Sequence, residues 1–299
     1  MGRGLHRQHQ REGPRGRARG EEFARRHGIG RVHGSYEELL ADPDVEAVYI
    51  PLPNSLHVPW SVKALEAGKH VLCEKPLSRH AADVEAAFDA ADRAGRLLME
   101  AFMWRYHPQT EALVRLASEI APLRVVRAAF GFTLPADDSG NVRLQGDLDG
   151  GALMDVGCYC VSALRLLCGE PEQAAGHAVA GGAGVDVRFA GALRFAGDAL
   201  GTFDCGFDVP PLGKIEVVGA NGTLVAEDPW HGVRPRLTLA RGDGPPEDVT
   251  IVAAQPYRLE LEDFSRAIRA GGEPRLGRAD AVGQARAIEM LYAAAAGSP

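Results

Sequence analysis

The chain has no Cys-x-x-Cys pair, and its ten histidines include no His-x3-His or His-Glu-x-x-His spacing. These absences remove the sequence grounds for a zinc site, and with it a zinc-dependent dehydrogenase. Cys73, Cys158, Cys160, Cys168 and Cys205 are odd in number and sit mostly in apolar segments, as reduced, buried thiols of a cytosolic protein do. No run approaches the ~18 apolar residues of a membrane span, and the N-terminus lacks the apolar stretch of a secretory signal. A cytoplasmic location is the expectation. Positive charge is also short: the formal net charge of −7 argues against nucleic acid or an anionic membrane as main partner.

What is present is an ordinary globular composition, 45% hydrophobic and 24% charged over 299 residues, long enough for two domains. Residues 1–20 stand apart. Arg3, Arg7, Arg11, Arg15, Arg17 and Arg19 alternate with glycine, histidine and glutamine, and Leu5 is the sole sizeable apolar side chain. Such a segment cannot offset its ordering entropy and is expected to be disordered.

From Glu21 the pattern becomes regular. Ser35 and Glu38 form a capping box for a short helix. Strands are predicted over 44–50, 69–73 and 96–102, with helices over 56–67 and 81–94 between them, each stopped by a glycine. Strands alternating with helices imply a parallel sheet of βαβ units over 21–102. After it, a long apolar helix over 152–168 and strands near 124–134, 186–195, 199–207, 214–218, 223–226, 236–239 and 248–252 read as an α+β domain, 103–299. Its sheet is mostly antiparallel, with Asn221-Gly222 as a hairpin signal and two helices, 257–270 and 279–294, at the end.

The stretch Lys69-His70-Val71-Leu72-Cys73-Glu74-Lys75-Pro76 carries the sharpest functional signal. A short apolar strand delivers a lysine to its carboxyl end, and ligands of open α/β sheets bind outside that edge. A solvated lysine in a turn is the structural alternative. Asp155 and Tyr159 lie four apart in the apolar helix and so share a face, where a buried carboxylate and phenol need partners. Their alternative reading is a helix-dipole aspartate beside an amphipathic core tyrosine. Together the three suit oxidation of a secondary alcohol by hydride transfer. Tyrosine becomes a usable base near neutrality only where a cation stabilises its phenolate, Lys75 would supply that cation, and the hydride acceptor must be a cofactor. Pro53-Asn54-Ser55-Leu56-His57 opens on the same edge, although Asn54 or Ser55 serves equally as a helix N-cap.

These elements resemble, in order and spacing, the Gfo/Idh/MocA family of oxidoreductases, the group that includes glucose-fructose oxidoreductase, dihydrodiol dehydrogenase and NADP-dependent xylose dehydrogenases. The resemblance runs from about Glu21 to the C-terminus. It is carried by Pro53-Asn54-Ser55-Leu56-His57, Glu74-Lys75-Pro76, the run from Glu100 to Pro108, the run from Gly150 to Tyr159, and the run from Tyr257 to Phe264. It implies a Rossmann domain joined to an open-faced α/β domain whose sheet often mediates dimers or tetramers. It further implies Lys75 orienting substrate and nicotinamide, Tyr159 as acid/base, and Asp155 binding sugar or polyol hydroxyls. Pro53, Asn54, His57, Glu74 and Pro76 would then lie on the cofactor side, and Trp104 and Arg105 would edge the substrate pocket. The implied cofactor is NADP, with NAD possible.

Members of that family begin with a strand, a Gly-x-Gly-x-x-Gly/Ala loop and a helix, and no such unit precedes Glu21. Gly2-Arg3-Gly4 has no strand before it, and Gly28-Ile29-Gly30 follows a helical segment, so neither meets the context test. The expectation is a misassigned start or frameshift that leaves the Rossmann domain partial and its sheet with an unpaired apolar edge. A competing reading is a remnant that binds sugar or self-associates without holding a dinucleotide.

Overall fold

Short apolar runs between amphipathic helices pair as parallel strands in the computed structural model, which describes residues 14–135, 140–182 and 184–297. Strands β1 (Ala47–Ile50), β2 (His70–Glu74) and β3 (Leu98–Ala101) form one sheet in that order. Val48 lies beside Val71, and Val71 beside Leu98. The crossovers are α3 (His57–Glu66) and α4 (Ala81–Ala94), and α4 stops at Gly95, whose φ of 60° is left-handed backbone that glycine adopts without strain. Before them, α2 (Tyr36–Ala41) is capped as expected by Ser35 Oγ, which accepts from Glu38 N at 3.1 Å. The Glu38 carboxylate reaches back to Gly34 N at 2.7 Å, one residue earlier than in the standard box.

The expectation of a disordered 1–20 fails over its last part, because α1 spans Pro14–His27. Arg17–Glu21 and Arg26–Glu22 pair one turn apart at 3.1 and 3.2 Å, and such exposed pairs contribute only about 0.2–0.5 kcal/mol each. The helix is anchored instead by buried Ala24 and by Gly20, where a side chain would press on Val32. Residues 1–13 of that segment lie outside the described residues.

The second sheet has eight strands in the order β11-β10-β9-β8-β4-β7-β6-β5. They are β4 (Leu123–Thr133), β5 (Pro171–Ala180), β6 (Asp186–Phe195), β7 (Leu200–Gly206), β8 (Asp208–Gly219), β9 (Gly222–Glu227), β10 (Arg236–Arg241) and β11 (Glu247–Val249). Every pairing is antiparallel except β4 with β7. The Asn221-Gly222 hairpin joins β8 to β9, and Gly222 is required there because a Cβ would meet the Ala240 carbonyl oxygen at 2.2 Å. Two elements were not legible in the sequence. Strand β5 is built of alanine, glycine and polar residues that rank low for strands, and its pairing with β6 holds it in place. Helix α5 (Pro108–Glu119) is entered through Pro108 and capped by His107 Nδ1, which accepts from Gln109 N at 3.1 Å.

Helix α6 (Cys158–Cys168) lies across the inner face of this sheet and is preceded by a π-helical turn, Leu153–Gly157. Its Val161 and Leu164 are fully buried in one cluster with Phe189, Phe195, Ile215 and Leu224. By length and composition Gly146–Cys168 could span a membrane, which amends the expectation of no such run. Most of it is buried inside the protein, so its apolarity is that of a core helix. The last helices are α7 (Pro256–Ala270) and α8 (Arg278–Ala296). Helix α8 joins both cores: Ala281, Val282 and Ala285 pack with Trp60, Val71 and Phe88 of the parallel domain, while Ala287, Ile288 and Leu291 join the larger cluster. Burying Ile288 and Leu291 contributes about 1.5–3 kcal/mol each. The cores therefore do not divide cleanly into 21–102 and 103–299, since the end of the chain returns to the first.

Candidate active site

Strands β1 and β2 end side by side, and beyond their carboxyl ends a cleft of about 940 Å³ separates the parallel sheet from the eight-stranded domain. This is the edge at which open α/β sheets bind ligands. Lys75, the residue after β2, enters the cleft with its side chain 11% exposed. The turn that follows is held by buried Glu100 at the end of β3, whose carboxylate accepts from Leu77 N at 2.7 Å.

Lys75 meets the π-helical turn. Its Nζ donates to the Asp155 carbonyl at 2.6 Å and to Asp155 Oδ1 at 3.2 Å, and lies 4.8 Å from the centroid of the Tyr159 ring. Local widening of a helix to π geometry is frequent at functional sites, and here the turn carries Asp155 and leads into Tyr159. Lysine, aspartate and tyrosine thus converge in one cleft, as the sequence reading required.

The charges are mutually dependent. Burial pulls the Lys75 ammonium down in pKa, but Asp155 and its other neighbours outweigh burial and hold it well above the ordinary lysine value. Burial pushes the Asp155 carboxyl up, and Lys75 and Arg143 more than compensate, so it stays below the usual carboxylate range. Arg143 Nε donates to Asp155 Oδ2 at 2.6 Å, leaving each carboxylate oxygen with a cationic partner. For Tyr159 burial dominates: the phenol is pushed up despite the opposing lysine charge. Lys75 sits over the face of the Tyr159 ring, and its charge is shared with Asp155.

Around Tyr159 the wall is aromatic. Phe102, Phe130 and Trp230 approach its ring at centroid distances of 5.5, 5.3 and 5.9 Å, all edge to face. Trp230 is fixed by Nε1 donating to the Ala129 carbonyl at 3.0 Å, and His231 packs edge-on against Phe130 at the rim.

On the opposite side Pro53, Asn54, His57 and Glu74 line the cleft. Asn54 Nδ2 donates to the Asp149 carbonyl at 2.8 Å. His57 is fully buried, with Nδ1 2.8 Å from the Pro76 carbonyl and Nε2 2.7 Å from the Leu52 carbonyl. Burial lowers its pKa against the pull of those carbonyls, and the ring ties the loop after β1 to the turn after β2. Pro76 thus acts through its carbonyl on His57. One Glu74 carboxylate oxygen accepts from the Tyr49 hydroxyl and the other from Lys75 N.

Two expected pocket residues are placed elsewhere. Trp104 is wholly buried one layer behind the wall, edge-on to Trp230 at 5.4 Å. Arg105 points away toward α6 and α8, donating to Ser162 Oγ and Asp280 Oδ1 at 3.3 Å each. Both lie on the tight turn Met103–Tyr106, which packs against α7 and not into the cleft. Sequence reading in turn missed Arg143, Trp230 and Tyr257, which do line it. Pro229-Trp230-His231-Gly232 offered a signal, a tryptophan in a turn, whereas nothing local to Arg143 singled it out.

Residues 14–102 match the GFO/IDH/MocA family described as an oxidoreductase family with an NAD-binding Rossmann fold, and residues 113–225 match the C-terminal domain of the same family. The chain is 42% identical to an NADP(+)-dependent D-xylose 1-dehydrogenase of Haloferax volcanii, over 94% of this chain and 87% of that protein. It is 33% identical to a trans-1,2-dihydrobenzene-1,2-diol dehydrogenase of Danio rerio, over 85% and 78% respectively. Among solved structures, a 3-ketoreductase from Actinomadura kijaniata in complex with NADP and TDP-benzene superimposes with a TM-score of 0.85. That match is 30% identical and covers 93% of this chain and 86% of the other. With both halves of the chain matched and relatives covered over most of their length, this protein belongs to the GFO/IDH/MocA family of oxidoreductases.

Proposed function

We propose that the cleft holds a nicotinamide dinucleotide, NADP before NAD, beside a sugar or cyclic polyol, and that the enzyme interconverts a hydroxyl and a carbonyl on that substrate. The observation that carries this reading is the convergence of the Lys75 ammonium and the Tyr159 ring at 4.8 Å in a cleft on the carboxyl edge of a parallel sheet. A cleft of about 940 Å³ has room for a nicotinamide end and a monosaccharide together, and the loops after β1 and β2 form the wall such a ring would face. Bound there, the dinucleotide would supply the hydride donor or acceptor, which no side chain can be. The relatives' activities on xylose and on a cyclic diol support the substrate class. So does the wall itself, with Trp230 and Phe130 offering apolar surface to a sugar ring while Asp155 and Arg143 offer polar contacts.

In this reading Tyr159 moves the proton at the reacting oxygen, Lys75 orients the substrate and stabilises negative charge developing on that oxygen, and Asp155 holds Lys75 while accepting from a substrate hydroxyl. Because burial keeps the Tyr159 phenol protonated at neutral pH, it is ready to donate to a carbonyl, and oxidation must first remove that proton. Oxidation should therefore speed up with pH across the alkaline range, by at most about tenfold per unit, while reduction should not. Initial rates with NADP+ or NAD+ and a panel of aldoses and cyclic diols from pH 7 to 10 test this. A flat oxidation profile would remove the role of Tyr159. No turnover together with no saturable binding of NADPH would favour the sugar-binding remnant.

Two further parts of the reading concern assembly and location. The outer face of the eight-stranded sheet carries a shallow hollow of about 450 Å³ floored by small residues, among them Ala129, Ala175, Ala190 and Ala192. The small residues leave room, and Arg127, Asp204, Lys214 and Glu216 around them offer charges of both signs, a face that suits a second copy of the chain in a homodimer or homotetramer. Sedimentation velocity should show a dimer or larger at micromolar protein, and Ala190→Glu, Ala192→Glu together should return the monomer. A wild-type monomer under those conditions would sink the proposal. The five free thiols fit a reducing cytoplasm.

A further inference from the structure

The helix that carries the site lacks a cap of its own. Ahead of the π-helical turn stand Gly150, Gly151 and Ala152, none with a side-chain acceptor for the first amide groups, which a helix start leaves unpaired. The acceptor comes from another domain element. Asp186, the first residue of β6 and buried, accepts from Leu153 N at 2.7 Å through Oδ2 and from the Tyr292 hydroxyl of α8 at 2.9 Å through Oδ1. Gly151 makes the approach possible: its φ is +125°, and a Cβ there would lie 2.4 Å from Asp186 Oδ1. Gln284, also on α8, holds the far end of the turn by donating to the Cys158 carbonyl at 2.8 Å.

We propose that Asp186, braced by Tyr292, is a positioning residue that sets the Asp155–Tyr159 segment against Lys75. The inference rests on the functional reading above and adds a residue that acts through the backbone of Leu153 without touching substrate. The contacts close a circuit. Arg79, four residues beyond Lys75, stacks on the Tyr292 ring at 4.3 Å and pairs with Asp149 at 3.8 Å. Asn54 holds the Asp149 carbonyl from the loop after β1. From Tyr292 the path runs through Asp186 to Leu153, and two residues on Asp155 grips Lys75 by its carbonyl and its carboxylate. A displaced Leu153 amide would shift Asp155 and Tyr159 together, and misplacement of about 1 Å can cost ~10² in rate.

The test pairs amide hydrogen exchange on the chain without added ligand with turnover of NADP+ and D-xylose, and with the other sugars of the panel. Asp186→Ala should speed exchange over 151–159 and not elsewhere, and lower kcat by ~10- to ~100-fold with the KM for NADP+ unchanged. Asp186→Asn keeps an acceptor for Leu153 N and a partner for Tyr292, so it should restore slow exchange and bring kcat to within about threefold of wild type. Wild-type kcat and exchange in Asp186→Ala, or equal losses in the alanine and asparagine variants, would overturn the proposal. Should Asp186→Ala fail to fold, Tyr292→Phe decides: faster exchange over 151–155 with a kcat lowered about three- to tenfold supports it, and no change in either rejects it. A wild-type chain inactive with every sugar rejects the functional reading itself. An active wild type with an indifferent Asp186→Ala rejects only the positioning role.

Discussion

Replacing Tyr159 by phenylalanine is expected to lower turnover by about 10²–10⁴ while the protein keeps its fold. The ring supplies the packing, since Phe102, Phe130 and Trp230 meet Tyr159 edge to face, and phenylalanine preserves all three contacts. Only the hydroxyl is lost, and with it the proton donor that Tyr159 presents in the cleft beside Lys75. The variant should bind dinucleotide and sugar with nearly unchanged affinity, so the loss should fall on kcat. Steady-state kinetics with thermal unfolding as the control for folding make the measurement. Turnover within a factor of about three of wild type would assign proton transfer to another group.

Lys75→Met is expected to damage both chemistry and stability. Methionine matches the stem of lysine but removes the charge, so the reacting oxygen loses its electrostatic partner, an effect of about 10²–10³ on kcat. Asp155 loses its buried cation and keeps Arg143, whose side chain is 42% exposed and whose attraction water screens. Leaving a buried carboxylate half-partnered costs about 1–3 kcal/mol. The pH dependence follows from the sign of the Asp155 shift. Its folded pKa lies below the ordinary carboxylate value, so the pairing stabilises the fold above that value and the contribution fades as pH falls through the folded pKa. The stability gap between wild type and Lys75→Met should be full at pH 7 and should narrow below about pH 4. A gap that stays constant to pH 3 in denaturant titrations would show that the ion pair is not its source.

Arg143 and Trp104 show why the site was only half readable. Lys75 announced itself because a strand end is a local feature, set by the apolar run 70–73 and the turn after it. Asp155 and Tyr159 announced themselves because a nearly all-apolar helix with two polar groups on one face is also local. Arg143 lies in the tight turn Val142–Leu144 with no periodicity around it, and only the folded chain brings it to Asp155. Trp104 illustrates the reverse error. The family resemblance implied a pocket edge, but the tight turn it occupies rotates it behind Trp230, where burying its large ring gains more than exposing it to the cleft.

By itself the sequence determined what short-range physics controls. The periods that make α4 and β6, the Asn221-Gly222 hairpin and the delivery of Lys75 at the end of β2 are each encoded within a short stretch of chain, where steric preference and hydrophobic period act. The tertiary structure alone decided which of these meet. It turned the start of the long helix into a π turn, drew the end of the chain back across both cores through α8, paired an alanine-rich strand at the sheet edge, and supplied the missing helix cap from Asp186. Those outcomes depend on burial and on charge pairing between segments distant along the chain, energies that arise only once both halves have packed.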